Sequence, residues 1–477
     1  MKKMFLVILT LALMCSLFST QLVGFAASAD KDRFKGQSIT YYGRWMEQDE
    51  KWLLDNIIDP FEKEYGVSVT VRNAENLGDI VDIIKLDETT KSIGLILTAI
   101  EIEAALAQTG LLLPVETYAE PEFIANFDLE ALPTKQDDVL YFLPNEISAY
   151  LLTYQNSKVE DVINNWEGVR EAVDASLKEF NGYGLPEEYV FETDPNNWNN
   201  YDLAVAGWYW ANTEYDGKTA PRIAHRGKNY DGTANELANK VYQMGGTADD
   251  ILIMDNQAVI DAYAWENYYA QAGIYVPAMW EEAWTGGGIY NGFSDGSCFL
   301  AFMHIADQFT IHGTGTPDLP GYMVDPDDLR QAVMPSGASL EIQDGKPARV
   351  SEDHASVSFG FVHAIPSTTP NVELSYELLK WMMQPEYLAH WAQTGRLTPN
   401  KTLTANLSDL IEEPWVRDIY DVMDRQIPSA KPVPMVIQWP EVGIIYCDAW
   451  TQVMTEKPAT VDEVIKAHAV KVADAMK

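Results

Sequence analysis

Cysteine is scarce, with three residues in a chain of 477. Cys15 falls inside the N-terminal apolar run, which leaves Cys298 and Cys447. Two thiols are too few for a disulfide scaffold; in an oxidising compartment they could pair, and otherwise they are buried free thiols. Positive charge is short as well: Lys and Arg number 33 against 71 Asp and Glu, a formal net charge of −38. That balance excludes a surface built for nucleic-acid phosphates and adsorption to anionic lipid. It favours a soluble chain kept monomeric by self-repulsion. No G-x-x-x-x-G-K-[ST] loop occurs, so the chain is not itself an ATPase. The seven histidines form no H-E-x-x-H and no close His/Cys pair, which leaves a zinc hydrolase unsupported and no metal expected. Beyond the N-terminal segment no apolar run reaches the roughly 18 residues of a membrane-spanning helix.

The residues that are present describe a folded globular protein. The hydrophobic fraction is 47% and the charged fraction 22%, and the length calls for at least two domains. Residues 1–29 read as a secretory signal. Lys2 and Lys3 precede the run from Met4 through Leu13, and Ala27-Ser28-Ala29 offers the small-x-small cleavage pattern. Met14, not a small residue, precedes Cys15, so a lipid anchor there is poorly supported.

From Ile39 the pattern is α/β. Ile39 to Tyr42 is a β-type run, followed by Gly43-Arg44-Trp45. Trp52, Leu53, Ile57, Ile58 and Phe61 then recur at helical spacing, with Pro60 as a perturbation and Gly66 as the stop. Val67–Val71 alternates as a strand, which completes a βα unit of the kind that builds parallel sheets. Ile93–Leu97 is a third strand and Glu101–Gln108 a helix. Around Leu140 two extended runs, Leu140–Glu146 and Ala149–Tyr154, succeed one another without a helix, as expected of a chain passing between lobes. Asn165 is a plausible cap for a helix that starts there. Gly292–Phe309 reads as a turn followed by an apolar strand. Val357–Ile365 is a further strand, Val372–Met383 a helix, and Glu441–Lys477 helical with a break at Pro458.

One catalytic pattern occurs. Gly292-Phe293-Ser294-Asp295-Gly296 matches G-x-S-x-G, but a nucleophile elbow needs a strand before it and a helix after it. Here Gly286-Gly287-Gly288 precede and an apolar strand comes after, so the match is accidental. A glycosidase needs two positioned carboxylates, and 71 acidic residues do not exclude a pair.

Blocks spread along the chain carry a resemblance: FEKEYGVSV at 61–69, AQTGLLLPV at 107–115, LPNEISAYLLTYQN at 143–156, GFSDGSCFLAF at 292–302, VHAIPSTTPNVELSYELLKWMMQPEY at 362–387 and TVDEVIKAHA at 460–469. Their order and spacing resemble the extracellular solute-binding proteins of ABC importers, in the branch that includes maltose-binding protein. The resemblance implies the two-lobe α/β periplasmic-binding-protein type II fold, with hinge crossings and a central ligand cleft. Lobe one would hold 30–147 and 338–408; lobe two would hold 148–337 and 409–477. It also implies an extracytoplasmic receptor, with no cofactor, that delivers a carbohydrate, expected to be an oligosaccharide, to ABC permease subunits. The alternatives are a secreted carbohydrate-active hydrolase and a binding-only sugar sensor. The Pro-Asp common before the family's third strand is replaced by Lys91-Ser92-Ile93-Gly94.

In parallel sheets ligands sit beyond the carboxyl ends of the strands, where the Gly43-Arg44-Trp45 turn lies. Trp45 would stack on a sugar face and Arg44 donate forked hydrogen bonds; alternatively Trp45 covers the first helix and Arg44 faces water. Thr98 and Glu101 lie past the third strand, Glu101 being either a ligand carboxylate or a helix N-terminal acid. Asn145 and Glu146 mark the first crossing, or simply end a strand. Trp198, with Asn196, matches the family position of a stacking aromatic on lobe two. His304 and Asp307 would enter the cleft from the end of their strand. Trp439 lies between Gln438 and Pro440, in a loop where an exposed indole has no structural purpose.

Overall fold

The computed structural model describes residues 31–45, 47–74, 79–129, 132, 134–136, 138–213, 220–313, 321–411, 413–455 and 460–477. The signal sequence and the break at Pro458 lie outside them. One mixed sheet runs through the molecule. Its strands are β1 (Ser38–Gly43), β2 (Ser68–Asn73), β3 (Ile93–Ala99), β4 (Leu143–Gln155), β5 (Arg222–Ala224), β6 (Cys298–His304), β7 (Leu329–Ala332), β8 (Ser356–Ala364) and β9 (Ala430–Pro432). They lie in the order β2-β1-β3-β8-β4-β6-β5, with β9 beside β8 and β7 beside β4.

Local chemistry accounts for the N-terminal unit. Every residue of β3 is buried, because helices cover both faces of the parallel part of a sheet. The helix after β1 runs Glu47–Leu53, widens to a π-turn at Leu54–Ile58 and continues as Asp59–Tyr65. Pro60 has no N–H to return to the carbonyl four residues earlier, and the wider turn absorbs that loss. Gly66 ends the helix at φ 64° with its N–H donated to the Glu62 carbonyl, a left-handed cap that favours glycine.

Two hydrophobic cores flank the sheet. The first gathers Ile57, Phe61, Ile80, Leu95, Leu378 and Ile419; the second gathers Trp198, Tyr201, Leu237, Trp265, Leu300 and Trp450. Strands β4 and β8, antiparallel to each other, belong to both. On β4, Leu143, Ile147 and Leu151 enter the first core while Tyr150, Leu152 and Tyr154 enter the second. On β8, Val362 and Ala364 enter the first and Val357 the second.

Several local expectations change. The end of the first run and the whole of the second form one continuous strand of 13 residues, while Leu140 belongs to a separate short strand; Pro144 sits near the start of the long one, where a missing N–H is tolerated. Asn165 ends a helix rather than capping one, its side chain donating to Asp161. Gly286–Asp295 is a helix, not a turn, so Ser294 lies on a helix that precedes a strand, the reverse of a nucleophile elbow. Ala338 and Leu340, assigned to lobe one from the sequence, belong to the second core. Tyr201 Oη donates to the Ser339 carbonyl at 2.9 Å and Trp265 Nε1 to that of Ala338 at 2.6 Å, holding the chain there until β8 crosses. Conversely Val416, Ile419, Tyr420 and Met423, assigned to lobe two, pack into the first core. They are the apolar face of the helix Pro414–Gln426, whose stripe needs a partner. Cys298 and Cys447 are unpaired and buried, and burial raises both thiols, Cys447 to about 12.

Candidate functional site

At the carboxyl end of β1 the chain turns through Arg44 and Trp45. The Trp45 ring lies over Gly43, where a Cβ would sit 2.6 Å from the indole, so only glycine lets the ring lie flat there. Its edge meets the buried Tyr41 at 4.8 Å between centroids. Two hydrogen bonds fix the turn: the Trp45 N–H donates to Asn73 Oδ1 at 3.2 Å, and Asn73 Nδ2 donates to the Trp45 carbonyl at 2.9 Å. Trp45 is half-buried and Arg44 exposed. Tyr41 in turn shares a 2.8 Å hydrogen bond with His363 Nε2. Burial lowers that imidazole to about 3, so it is neutral.

Tyr41, Arg44, Trp45, Asn145, Glu146 and Arg396 line one pocket between this turn and β4. Arg396 is held between Asp49 and Glu146, the latter at 3.4 Å. Burial raises the Glu146 carboxyl, and Arg396 offsets only part of that effect. Thr398 Oγ1 donates to the Asn145 carbonyl at 2.5 Å. Arg44, Trp45, Asn145 and Glu146 are thus brought together in one pocket. Asp49, Arg396 and Phe361 were missed, since nothing local distinguishes one arginine in TGRLTP.

A second polar group belongs to the other core, near enough for Arg396 to influence its histidine. Arg226 donates to Glu236 at 2.7 Å, to His304 Nε2 at 3.1 Å and to Asp307, and Tyr290 Oη donates to Asp307. Burial alone would raise Asp307, but Arg226, His304 and Tyr290 together lower it. His304 is lowered to about 4, by burial first and only partly opposed by Asp307. Behind lies a deeper network. Glu266 accepts from Lys240 at 2.8 Å, Tyr275 at 2.7 Å and Trp450 at 2.9 Å, and sits 3.0 Å from His225 Nε2. Burial raises Glu266, yet Lys240 and His225 hold it well below the usual carboxylate range.

An aromatic floor joins the two groups. Phe359 and Phe361 alternate on β8, so their side chains share a face, with centroids 6.4 Å apart. Phe361 lines the first pocket, and Phe359 meets the His304 ring at 4.5 Å. Glu146 and Tyr150, four apart on β4, share a face in the same way. Alternation within the predicted strand Val357–Ile365 was the available signal for this floor. The signal for the Arg226 group was a charged His225-Arg226 pair directly after apolar Ile223-Ala224.

The remaining predicted residues fare differently. Thr98 is buried near the end of β3, its hydroxyl without a protein partner. Glu101 lies on the 3₁₀ turn Ile100–Ile102 ahead of the helix Glu103–Gln108, and accepts from Asn235 Nδ2 of the second core's helix at 2.8 Å. Asn196 is tied to Asp194 and accepts from the Val333 N–H at 3.3 Å. Trp198 is fully buried, its Nε1 donating to the Glu192 carbonyl at 2.8 Å and its ring packed on Phe191. Trp439 starts the helix Trp439–Thr455 at 2% exposure, inside the second core. Neither indole offers a free face, which corrects the reading of Trp198 as a stacking ring and of Trp439 as an exposed loop residue: the rest of the chain packs around both. Among the described residues, no His, Cys, Asp and Glu group is arranged to hold a metal ion, and no helix is long and apolar enough to cross a membrane.

Comparison with known proteins places this geometry. The profile of the bacterial extracellular solute-binding proteins matches residues 56–417. Comparison with curated protein sequences gave no match. Among solved structures, a Thermotoga lettingae ABC transporter solute-binding protein bound with α-D-tagatose superposes with a TM-score of 0.65 at 17% identity, covering 93% of this chain and 100% of its own. Maltose-bound T. maritima MalE3 gives 0.66 at 14%, with 92% and 100% covered. The Thermus thermophilus maltotriose-binding protein bound with maltotriose gives 0.65 at 15%, also with 92% and 100% covered. At these identities the structural neighbours establish the two-lobe fold, and the profile match establishes that this chain belongs to the bacterial extracellular solute-binding protein family.

Proposed function

We propose that this protein is the extracytoplasmic receptor of an ABC importer, that it binds a carbohydrate of oligosaccharide size between two lobes, and that it passes it unchanged to a membrane permease. The two cores act as two bodies that close by bending β4 and β8, the strands they share. Residues 1–29 act as the signal, cleaved near Ala29, and the mature protein works as a monomer.

The observation that carries this reading is the composition of the facing walls. An exposed guanidinium and a half-buried indole, Arg44 and Trp45, stand beside the Arg396–Glu146 pair. Opposite them is the His304–Arg226–Asp307 group, with phenylalanines between. A sugar presents apolar C–H faces and a ring of hydroxyls, which such a mixture meets with stacking and charge-assisted hydrogen bonds. Arg44, Trp45, Asn145, Glu146 and His304 make the contacts, with Asp307 and Arg226 fixing His304. The structural neighbours include proteins bound with tagatose, maltose and maltotriose, which supports the same class.

The test is thermal unfolding of residues 30–477 against mono- and oligosaccharides, polyamines and peptides, with chromatography of each hit after incubation. A ligand at 100 times its Kd adds about 2.7 kcal/mol to the native state. A saturable shift with an oligosaccharide recovered intact is the expected result. Cleavage of the sugar would replace the receptor with a hydrolase, and a shift with polyamine or peptide alone would discard the carbohydrate.

A further inference from the structure

We infer that Glu101 and Asn235 form a proton-dependent latch between the two lobes, so that closing takes up one proton. The inference rests on the two-lobe reading above, not on the identity of the sugar. Glu101 precedes the helix Glu103–Gln108 of the first core, while Asn235 lies on the helix Asp231–Gln243, whose Ala234, Leu237 and Val241 belong to the second. Asn235 Nδ2 donates to Glu101 Oε1 at 2.8 Å. The two atoms on the other side of this contact, Glu101 Oε2 and Asn235 Oδ1, are both out of contact with solvent and both without a hydrogen-bond partner.

Two acceptors cannot satisfy each other, and each buried acceptor left without a donor is a cost to the contact. A single proton on Oε2 removes both defects. The carboxylic acid then donates to Oδ1 while the carboxamide donates to Oε1, giving a paired acid–amide contact. The surroundings ask for the same proton. Burial is the main influence and Asp231, on the opposing helix, a further one; together they raise Glu101 to about 7, although its own backbone N–H and Asn235 pull the other way. Glu103, on its own helix, is raised by burial and by Glu101 itself. The titratable residue of β8 is His363, which is neutral and engaged by Tyr41. None of these supplies a compensating positive charge.

The sign is set by the open state. With the lobes apart Glu101 is solvated and titrates near the ordinary 4.5, so the closed form binds more protons between there and 7. Closure is favoured at lower pH and lost as pH rises through about 7. One proton of this kind changes the closed-to-open ratio about tenfold between pH 8 and pH 6.

The experiment needs no sugar. Spin labels at L86C and I253C, exposed positions on helices of the first and second core, report lobe separation in the full-length protein; the native thiols are buried. Pulsed electron–electron distances are recorded from pH 8.5 to 5.5. The expected wild-type result is a short-distance population that grows as pH falls through about 7. Glu101→Gln should hold that population at every pH, because an amide pair satisfies all four atoms without a proton. Asn235→Asp should move the midpoint upward, since two carboxylates then compete for one proton. One protonated-carboxyl infrared band present in the wild type at pH 6 should be missing from E101Q, while bands of other buried acids such as Glu103 persist in both. A wild-type distribution independent of pH, or an E101Q profile equal to wild type, overturns the latch. Failure of the carbohydrate reading would instead show as an unresponsive sugar panel with this titration intact.

Discussion

The two walls of the cleft are built on opposite principles. On the side of the first core, Arg44 is exposed and Trp45 half-buried, held mainly through backbone bonds to Asn73. On the other side Arg226, Asp307, Glu236 and His304 engage one another, and the Glu266 network stands behind them. The difference teaches where adaptability resides. A side chain already committed to protein partners cannot rearrange without leaving a buried charge unpaired, so the second wall is a fixed template. In the first wall Arg396 and Glu146 are likewise committed to each other, but the exposed Arg44 keeps rotamer freedom and would order on a ligand at an entropic cost. Changes in the second wall should therefore appear first in stability, and changes in the first wall in affinity.

The sharpest way to break that contrast is Glu266→Leu. It leaves Lys240 and His225 buried without their shared carboxylate, and should cost about 3–5 kcal/mol of unfolding free energy, read from denaturant midpoints at an unchanged slope. A loss under about 1 kcal/mol would mean the second wall is not the rigid one.

Next comes pH. His363 and His304, at about 3 and 4 in the folded chain, stay neutral where unfolded histidine near 6.5 is protonated. The unfolded state then binds more protons, so stability should fall as pH drops from about 6.5 toward 4, by up to about 1.4 kcal/mol per pH unit for each. Replacing His363 with Gln should flatten the slope. An unchanged slope would remove it as a contributor.

Smaller effects belong to the first wall. Trp45→Ala should weaken ligand binding about ten- to a hundredfold, from lost stacking and burial, while unfolding free energy falls by about 1 kcal/mol; titration calorimetry beside chemical denaturation separates the two. Arg44→Ala, at an exposed site, should weaken binding by less than about tenfold and shift stability by no more than about 0.5 kcal/mol. Equal losses of stability and affinity in both variants would erase the distinction between the walls.

The sequence disclosed one half of this arrangement far better than the other. Strand periodicity located β1, β3 and β8 within a few residues; the rule that ligands sit beyond strand ends singled out Arg44 and Trp45, and the expected crossing singled out Asn145 and Glu146, which line the same pocket. That rule is local, needing only a strand and the few residues after it. The second wall depends on partners far apart in sequence, as Arg226 with Asp307 or His225 with Glu266, and no local pattern announces such pairings. Trp198 and Trp439 failed for a related reason: their surroundings read as polar loops, while the residues that bury them come from elsewhere in the chain. The lobe boundaries drifted likewise, since Ala338 and Val416 are assigned by the core they fill and not by their neighbours in sequence.

The sharing of β4 and β8 between both cores also bears on how the chain is born. A ribosome delivers residues in order, yet the first core needs β8 and the helix Pro414–Gln426, and the second needs helices that end at Ala475. Both bodies draw on β8, so neither is complete before that strand has been made. Long-range pairing of this kind slows folding, so both cores are completed late in synthesis. A polypeptide that must be threaded through a narrow channel before it folds would gain from that delay.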